Sequence, residues 1–474
     1  MDYTKLGFKA GIEIHQQLDT GKLFCRCPSI VHDKNPDIHF QRKLYAKAGE
    51  QGSIDAAALA EMRKERFFKY EGCTTSSCLV ELDEEPPQEM DREALRVVLQ
   101  VAKLVHAKII DEIQIMRKTV IDGSNVSGFQ RTALVAINGF IETSKGKVSI
   151  PTINIEEESA RRIEETKDYV SYRLDRLGVP LIEIATGPEL KDPEHVKEAA
   201  EKLGMILRST GKMKRGIGTI RQDVNVSIRG GARTEIKGFQ DLRSIPQVVE
   251  YEIERQLKLT QEGKKVEQEV RKAEPDLTTS FLRPMPGAAR MYPETDLPPV
   301  HVTEKDISSI EKVELIEKIV QDFVEKYKLD KDIATKIVKG NQKEFFNSLC
   351  TQHKNIKPSF IADTILSSAK QIKQKYNIDI SPSQEDYEVL FEALDLGKIA
   401  KESVLDILKE GKAVKEIIHK FTLMSDTDLE KELQKIINEN KNIPPQALIG
   451  KAMAALRGKA AGQKIVEMLK KLQS

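Results

Sequence analysis

Residues 219–238 read TIRQDVNVSIRGGARTEIKG, and this stretch decides the fold class. Side chains along a strand alternate between its two faces. Val224, Val226 and Ile228 therefore share one face, and Arg221, Asp223, Asn225 and Ser227 share the other. GG at 230–231 marks a turn, after which TEIKG returns as a second strand with Glu235 and Lys237 on one side. Asp and Asn are poor strand formers, so Asp223 and Asn225 within one strand require a local reason. A water-facing sheet surface supplies one; a polar cleft lined by the strand supplies another.

The same period of two recurs outward from this hairpin. FKAGIEIHQQL (8–18) places Ile12 and Ile14 opposite Glu13 and His15. TALVAINGFIET (132–143) followed by GKVSIPTINIE (146–156) predicts a hairpin, and VPLIEIAT (179–186) and DEIQIMRKTVID (111–122) predict strands. Apolar spacing of three and four predicts helices over REALRVVLQVAKLVH, EHVKEAAEKLGMILRST and IPQVVEYEIERQLKL. The proline- and glycine-rich stretch 273–300 reads as an extended crossing segment. Beyond about residue 303 strand patterns vanish and amphipathic helices follow one another, with proline-containing breaks near 357 and 381. NIPPQALIGKAMAALRGK starts with prolines and has Gly458 near its end; a last helix carries its stripe through Ile465, Leu469 and Leu472. The expectation is an α+β protein: a strand-rich domain over 1–302, a helical domain over 303–399 and a helical tail over 400–474.

Composition narrows the class. The chain has 474 residues and a formal net charge of +1, so overall charge does not point to nucleic acid. Its distribution says more: Lys441, Lys451, Arg457, Lys459, Lys464, Lys470 and Lys471 face one acid, Glu467, after residue 440. Such an end can meet phosphates or form a solvated helix face. No run reaches the ~20 apolar residues of a membrane span, and MDYTKLGFKAGIEIH has no long apolar stretch of a signal peptide. A soluble cytoplasmic protein with no membrane association is expected. Four of five cysteines form two close pairs, Cys25-x-Cys27 and Cys73-x4-Cys78. In a reducing compartment this favours a metal over disulfides, with free thiols near turns as the alternative.

Polar ladders on several strands suggest a shared cleft. It would hold Glu13, His15, Glu156, Glu157, Glu183 and Asp223, with the basic groups Arg221, Lys237 and Lys118. Glu183 sits among Val179 and Leu181 and needs a partner, either a cation or Arg176. Carboxylates suit Mg²⁺ and basic groups suit phosphates, together the parts of phosphoryl transfer. His15 fits less well as a magnesium ligand and better as a group that orients a carboxylate. No G-x4-G-K-[ST] loop or protein-kinase signature is present. KMKRGIGTIR at 212–221 could cradle phosphates through its backbone, which adds Lys214 and Arg215 to the candidate nucleotide-binding residues Lys118, Asn225 and Ser227.

GIEIHQQLDTGKLFCRCPS, ELDEEPP, MRKTVIDGSNVSGFQRT, YRLDRLGVPLIEI, KMKRGIGTIRQDVNVSIRGGARTEIKG and GAARMYPETDLPP resemble a known family, GatB/GatE. It comprises GatE of the archaeal-type glutamyl-tRNA(Gln) amidotransferases and the homologous GatB of the three-component bacterial-type enzyme. The motifs favour GatE, and LIGKAMAALRGKA is similar to the family's tail. The resemblance implies a β-rich cradle, a helical domain and a tail that contacts tRNA. It implies ATP-dependent phosphorylation of glutamate on mischarged Glu-tRNA(Gln). Amidation to Gln-tRNA(Gln) would follow with ammonia from an asparaginase-like partner protein, in a heterotetramer built on a homodimer. Glu13, His15, Glu156, Glu157 and Glu183 match the family's magnesium ligands. Asp223 would hold metal or a reacting group, Arg221 phosphate, and Lys237 substrate carboxylate or phosphate. Tyr292, Glu294 and Asp296 match a segment beside the cradle, without an assigned role. Cys25, Cys27, Cys73 and Cys78 fall where some relatives carry zinc. One departure stands out: between the ERQL helix and EVRKA lies only KLTQEGKKVEQ, where GatE chains carry a large inserted domain resembling one in aspartyl-tRNA synthetase. A GatB-like component of a three-part Asp/Glu-tRNA amidotransferase, or a tRNA-binding scaffold with a dead kinase site, are the competing readings.

Overall fold

The computed structural model describes residues 1–46, 52, 54, 56–239, 241–285, 291–340, 342–440, 444–456, 459–460 and 462–473. Lys441, Arg457, Gly458 and the GAAR of 287–290 lie outside them. The chain divides into two compact units, 1–315 and 316–474. The boundary expected near 303 falls later because Ile310 joins the apolar core of the first unit, with Ile307 and Leu315 packed against it. The second unit runs unbroken through residue 400.

In chain order the first unit holds β1 (Lys9–Gln17), β2 (Ile38–Arg42), α1 (Ala56–Met62), β3 (Phe67–Gly72), α2 (Arg92–Leu104), β4 (Lys108–Ile109), β5 (Glu112–Ile113) and β6 (Ile115–Thr119). Then come β7 (Phe129–Thr143), β8 (Gly146–Glu157), β9 (Arg161–Glu165), β10 (Tyr169–Arg173), β11 (Pro180–Ala185), α3 (Pro193–Ser209), β12 (Ile220–Ser227) and β13 (Thr234–Lys237). α4 (Ile245–Gln261), β14 (Glu269–Ala273), β15 (Thr279–Pro284), β16 (Met291–Pro293), β17 (Val300–His301) and α5 (Glu304–Ser308) complete it.

The main sheet runs β15–β14–β13–β12–β1–β11–β8–β7–β6–β16, with β4 beside β7. β7 and β8 form the expected hairpin, and Gly230, at φ 79°, turns the chain from β12 into β13. β13 and β14 are parallel, which requires a crossover, and α4 provides it. One face of the sheet is apolar: Ile12, Ile14, Ile153, Ile155, Ile182, Ile184, Val224 and Val226 are buried there with residues of α2, α3 and α4. Caps fix two of these helices. Asp91 accepts a hydrogen bond from the Ala94 N–H at the start of α2; Asp192 accepts from the His195 N–H, with Pro193 in the first turn of α3. The opposite face is polar and concave.

DEIQIMRKTVID holds two strands rather than one, β5 and β6, each with a different partner. A second sheet, β2–β3–β10–β9, surrounds its own cluster of Phe68, Tyr70, Val170, Tyr172 and Leu174. In the second unit, helices follow one another from Ile316 to Gln473, and those at Pro358–Tyr376 and Gln384–Asp395 begin at the expected breaks. Its last three helices, starting at Asp426, gather around Leu429, Leu433, Leu448, Ile465 and Leu469. Among the described residues no helix is long and apolar enough to cross a membrane.

Candidate active site

Strand register builds the site. His15 on β1 stands between Arg221 on β12 and Glu183 on β11, and Glu183 in turn faces Asn154 on β8. Two residues along β1, Glu13 pairs with Asp223. Adjacent strands lie about 4.8 Å apart, so residues far apart in sequence are held side by side without help from loops. They line a cavity of about 790 Å³, together with Lys118, Gln130, Glu156, Glu158, Arg233, Glu235, Lys237 and Arg283.

The charges in this cavity are interlocked. His15 Nε2 lies 3.3 Å from Glu183 Oε2, and Asn154 Nδ2 donates to Glu183 Oε1 at 2.8 Å. Lys118 pairs with Glu156 and lies 3.8 Å from Glu183. Lys237 contacts Asp223 and, at 2.5 Å, Glu235. Arg221 grips Glu158 through both terminal nitrogens, at 2.7 and 3.0 Å. Burial, then the Glu183 charge, pushes the Glu13 carboxyl up to about 7. Burial also raises Glu156, outweighing Lys118. Glu183 goes the other way: burial opposes ionisation, but the His15 hydrogen bond and Lys118 together hold it well below the ordinary range. Burial would lower His15, yet Glu183 and the neighbouring carboxylates raise it. Burial likewise opposes charge on Lys237, and Asp223 with Glu235 prevails.

Two sets of ligand atoms, Glu13–His15–Asp223 and His15–Glu156–Glu183, each lie within 4.8 Å of one another. A carboxyl kept near neutrality beside other carboxylates marks a site short of positive charge. Hard oxygen donors in that setting fit Mg²⁺. His15 is hydrogen-bonded to Glu183, which suits it to orienting that carboxylate.

Several sequence expectations need correction. Glu157 does not join the cavity: neighbours on β8 point to opposite faces, so Glu156 enters it while Glu157 turns to Arg131, 3.1 Å away. There it belongs to a separate network, in which Arg131 also binds Glu294 at 2.7 Å and Arg117 contacts Glu294 and Asp296. Arg176 is not the partner of Glu183; it donates to the Ser159 and Ala160 carbonyls. Lys214 donates to the Ser29 carbonyl and Arg215 is exposed, both outside the cavity lining. Asn225 accepts from Arg233 at 3.1 Å, and Ser227 lies opposite Lys9; neither lines the cavity. Sequence reasoning missed Gln130, Glu158, Arg233 and Arg283. Gln130 and Glu158 were findable by alternation along β7 and just past β8; Arg283 sat in a stretch read only as a crossing.

The cysteine centre also differs from expectation. Cys25, Cys27, Cys78 and Glu81 bring their ligand atoms within 4.8 Å of one another. Cys73 is not among them: it opens a turn just after β3, and its Sγ approaches the Asn35 carbonyl at 3.5 Å. Glu81 takes its place, drawn in by the Cys78 N–H at 2.8 Å and Cys25 Sγ at 2.9 Å. Burial, then Glu81, pushes the Cys78 thiol up to about 11. Three thiols and a carboxylate fit tetrahedral zinc, which would ionise them.

Residues 8–308 match the sequence profile described as the GatB/GatE catalytic domain. The chain belongs to the GatB/GatE family. It is 37% identical to the E-type subunit of the Methanocaldococcus jannaschii glutamyl-tRNA(Gln) amidotransferase, over 99% of each chain. The corresponding proteins of Thermococcus sibiricus and Pyrobaculum calidifontis are each 35% identical to it, over 99% and 100% of this chain and 98% and 100% of their own. The first alignment runs over 624 positions, of which this chain can supply 474, so the relative carries a long segment that is missing here.

Proposed function

We propose that this chain is the ATP-dependent activating component of a glutamyl-tRNA(Gln) amidotransferase. The observation that carries this reading is the convergence of Glu13, His15, Glu156, Glu183 and Asp223 from four strands, beside Lys118, Arg221 and Lys237, in one cavity. A carboxylate is a poor electrophile, and phosphorylation gives it a leaving group. An oxygen of the glutamyl side chain attacks the γ-phosphorus of ATP, the bond to the β-phosphate oxygen breaks, and ADP leaves. Ammonia then attacks the acyl carbon; phosphate departs and a proton is released, giving the amide. Glu13, Glu156, Glu183 and Asp223 would hold Mg²⁺, with His15 fixing Glu183. Bound there, Mg²⁺ would neutralise phosphate oxygens as charge shifts toward ADP. Lys237, already protonated between Asp223 and Glu235, offers its charge to the transferred phosphate or the substrate carboxylate, and Arg221, oriented by Glu158, faces the same space.

In the same reading the ammonia comes from an asparaginase-like partner within a heterotetramer. The helical tail contacts tRNA, and the Cys25–Cys27–Cys78–Glu81 centre holds structural zinc. The test uses protein reconstituted with its ammonia-producing partner and Glu-tRNA(Gln), measuring ADP formation. Glu183→Gln and Asp223→Asn should each lower phosphoryl transfer on the order of 10²–10³-fold while tRNA affinity survives. Loss of both together would show that these residues only hold the fold, and an inert parent would leave a tRNA-binding scaffold.

A further inference from the structure

Most cations in the cavity already answer to a carboxylate. Lys118 meets Glu156, Arg221 is held by Glu158 and Lys237 is clamped between Asp223 and Glu235. Two arginines differ. Arg283 is half-buried on β15, and its side chain makes no hydrogen bond or ion pair among the described residues. Arg233, just before β13, donates to the neutral Asn225 amide oxygen at 3.1 Å and approaches the Met285 sulfur at 3.8 Å, with no carboxylate contact among the described residues. Glu235 feels both charges at longer range, but its carboxylate is committed to Lys237. Register sets the arginines on one wall: Glu235 pairs with Val270 on β14, and Val270 pairs with Arg283 on β15. Apart from Glu235 on β13, held by Lys237, and Glu112 on β5, the cavity's carboxylates sit further along the sheet, on β12, β1 and β11 and on or just past β8. The cavity is thus sorted, with an acid wall short of a cation and a basic wall short of an anion.

Partial burial of the Arg283 guanidinium without a close partner is unfavourable, whereas Arg233 is exposed at the cavity's edge. A guanidinium's planar fork of donors matches the paired oxygens of a phosphate better than a lysine ammonium does. We infer that Arg283, seconded by Arg233, is a phosphate-binding residue of this cavity. The inference rests on the proposed ATP- and tRNA-dependent activity. Phosphate here has two sources, the polyphosphate of ATP and the backbone of the tRNA acceptor end, and the experiment separates them.

The full-length chain carrying R283Q, R283K or R233Q is compared with the parent in two binding measurements. One is calorimetric titration with Mg-ATP; the other is filter binding of a tRNA(Gln) transcript over a range of salt. For R283Q, a loss of about tenfold to a hundredfold in affinity for one of the two ligands is expected. R233Q should lose less, and R283K should recover part of the loss, with unfolding midpoints unchanged. A selective effect on Mg-ATP assigns the nucleotide. A selective effect on the transcript, with a shallower salt dependence, assigns the tRNA backbone. R283Q that folds and binds both ligands within twofold of the parent overturns the inference. A parent that binds both ligands but transfers no phosphate would sink the proposed activity while leaving the phosphate site standing. A parent that binds neither would sink both.

Discussion

Replacing Glu13 with glutamine should stabilise the metal-free protein above neutral pH while abolishing the activity proposed for it. Burial, and then the charge of Glu183, moves the Glu13 carboxyl from 4.5 up to about 7; His15 and Lys237 pull it down and Asp223 adds to the rise. A folded-state pKa above the unfolded one means that the folded chain binds more protons between those values. Stability therefore falls as pH rises through 4.5 to about 7. Below that window both states are protonated and nothing is lost; above it the penalty is complete. The shift corresponds to at most about 3 kcal/mol, since water in the cavity screens part of it. In a domain of this size that is a few degrees of unfolding midpoint. Scanning calorimetry in EDTA between pH 4.5 and 8 should show the parent losing ground to E13Q as pH rises. Adding Mg²⁺ at pH 8 should then raise the parent's midpoint and leave that of E13Q nearly unmoved. A constant offset between the two profiles across the whole range would refute the reasoning, because Glu13 would not be titrating where the geometry puts it.

Zinc content, measured by atomic emission on protein purified without chelator, should fall in C25S, C78S and E81A and stay at the parent level in C73S; equal loss in all four would return Cys73 to the ligand set. Ending the chain at Met424 removes the three-helix cluster around Leu433 and should weaken tRNA binding, by a factor that shrinks as salt is raised. A dissociation constant unchanged at every salt concentration would count against a tail role.

The main sheet was legible because its strands obey period two so strictly. Ile12, Ile14, Val224 and Val226 announce the buried face, and Glu13, His15, Asp223 and Arg221 announce the other. What alternation cannot give is which strands are neighbours. The pairings of Glu13 with Asp223 and of His15 with Glu183 join residues far apart in sequence, and one step of slip would turn each side chain to the wrong face. The run Glu156–Glu157–Glu158 shows a subtler failure. Adjacency suggested Glu156 and Glu157 as neighbouring ligands and passed over Glu158, whereas the pleat sends Glu156 and Glu158 to the cavity and Glu157 to Arg131. The second sheet escaped notice because its strands mix aromatic and charged residues, as in FFKYEG and RRIEE, without a clean apolar alternation. At the cysteines the sequence counted thiols, but the chain bends so that a carboxylate three residues past Cys78 arrives first.

The missing segment bears on how the site is held. The resemblance puts it at residues 258–268, the last turn of α4 and the loop leading to β14, where Glu262–Lys265 are exposed. Insertions at such a turn change closure entropy only slowly with length. More telling is what locks the crossover in place. Glu252, fully buried on α4, accepts from Arg255 at 2.8 Å, Gln256 at 2.9 Å and Thr279 of β15 at 3.2 Å. Glu269, at the start of β14, meets Arg255 at 3.2 Å and Arg271 at 2.8 Å. These contacts tie helix to sheet on either side of the turn without using the turn itself. β13, β14 and β15 therefore keep their register whether the connection is short or long. Lys237 on β13 and Arg283 on β15 stay aimed at the cavity. The cavity face is therefore held independently of that connection, and in the proposed reading the absence of the segment would alter the surface offered to tRNA rather than the cavity itself.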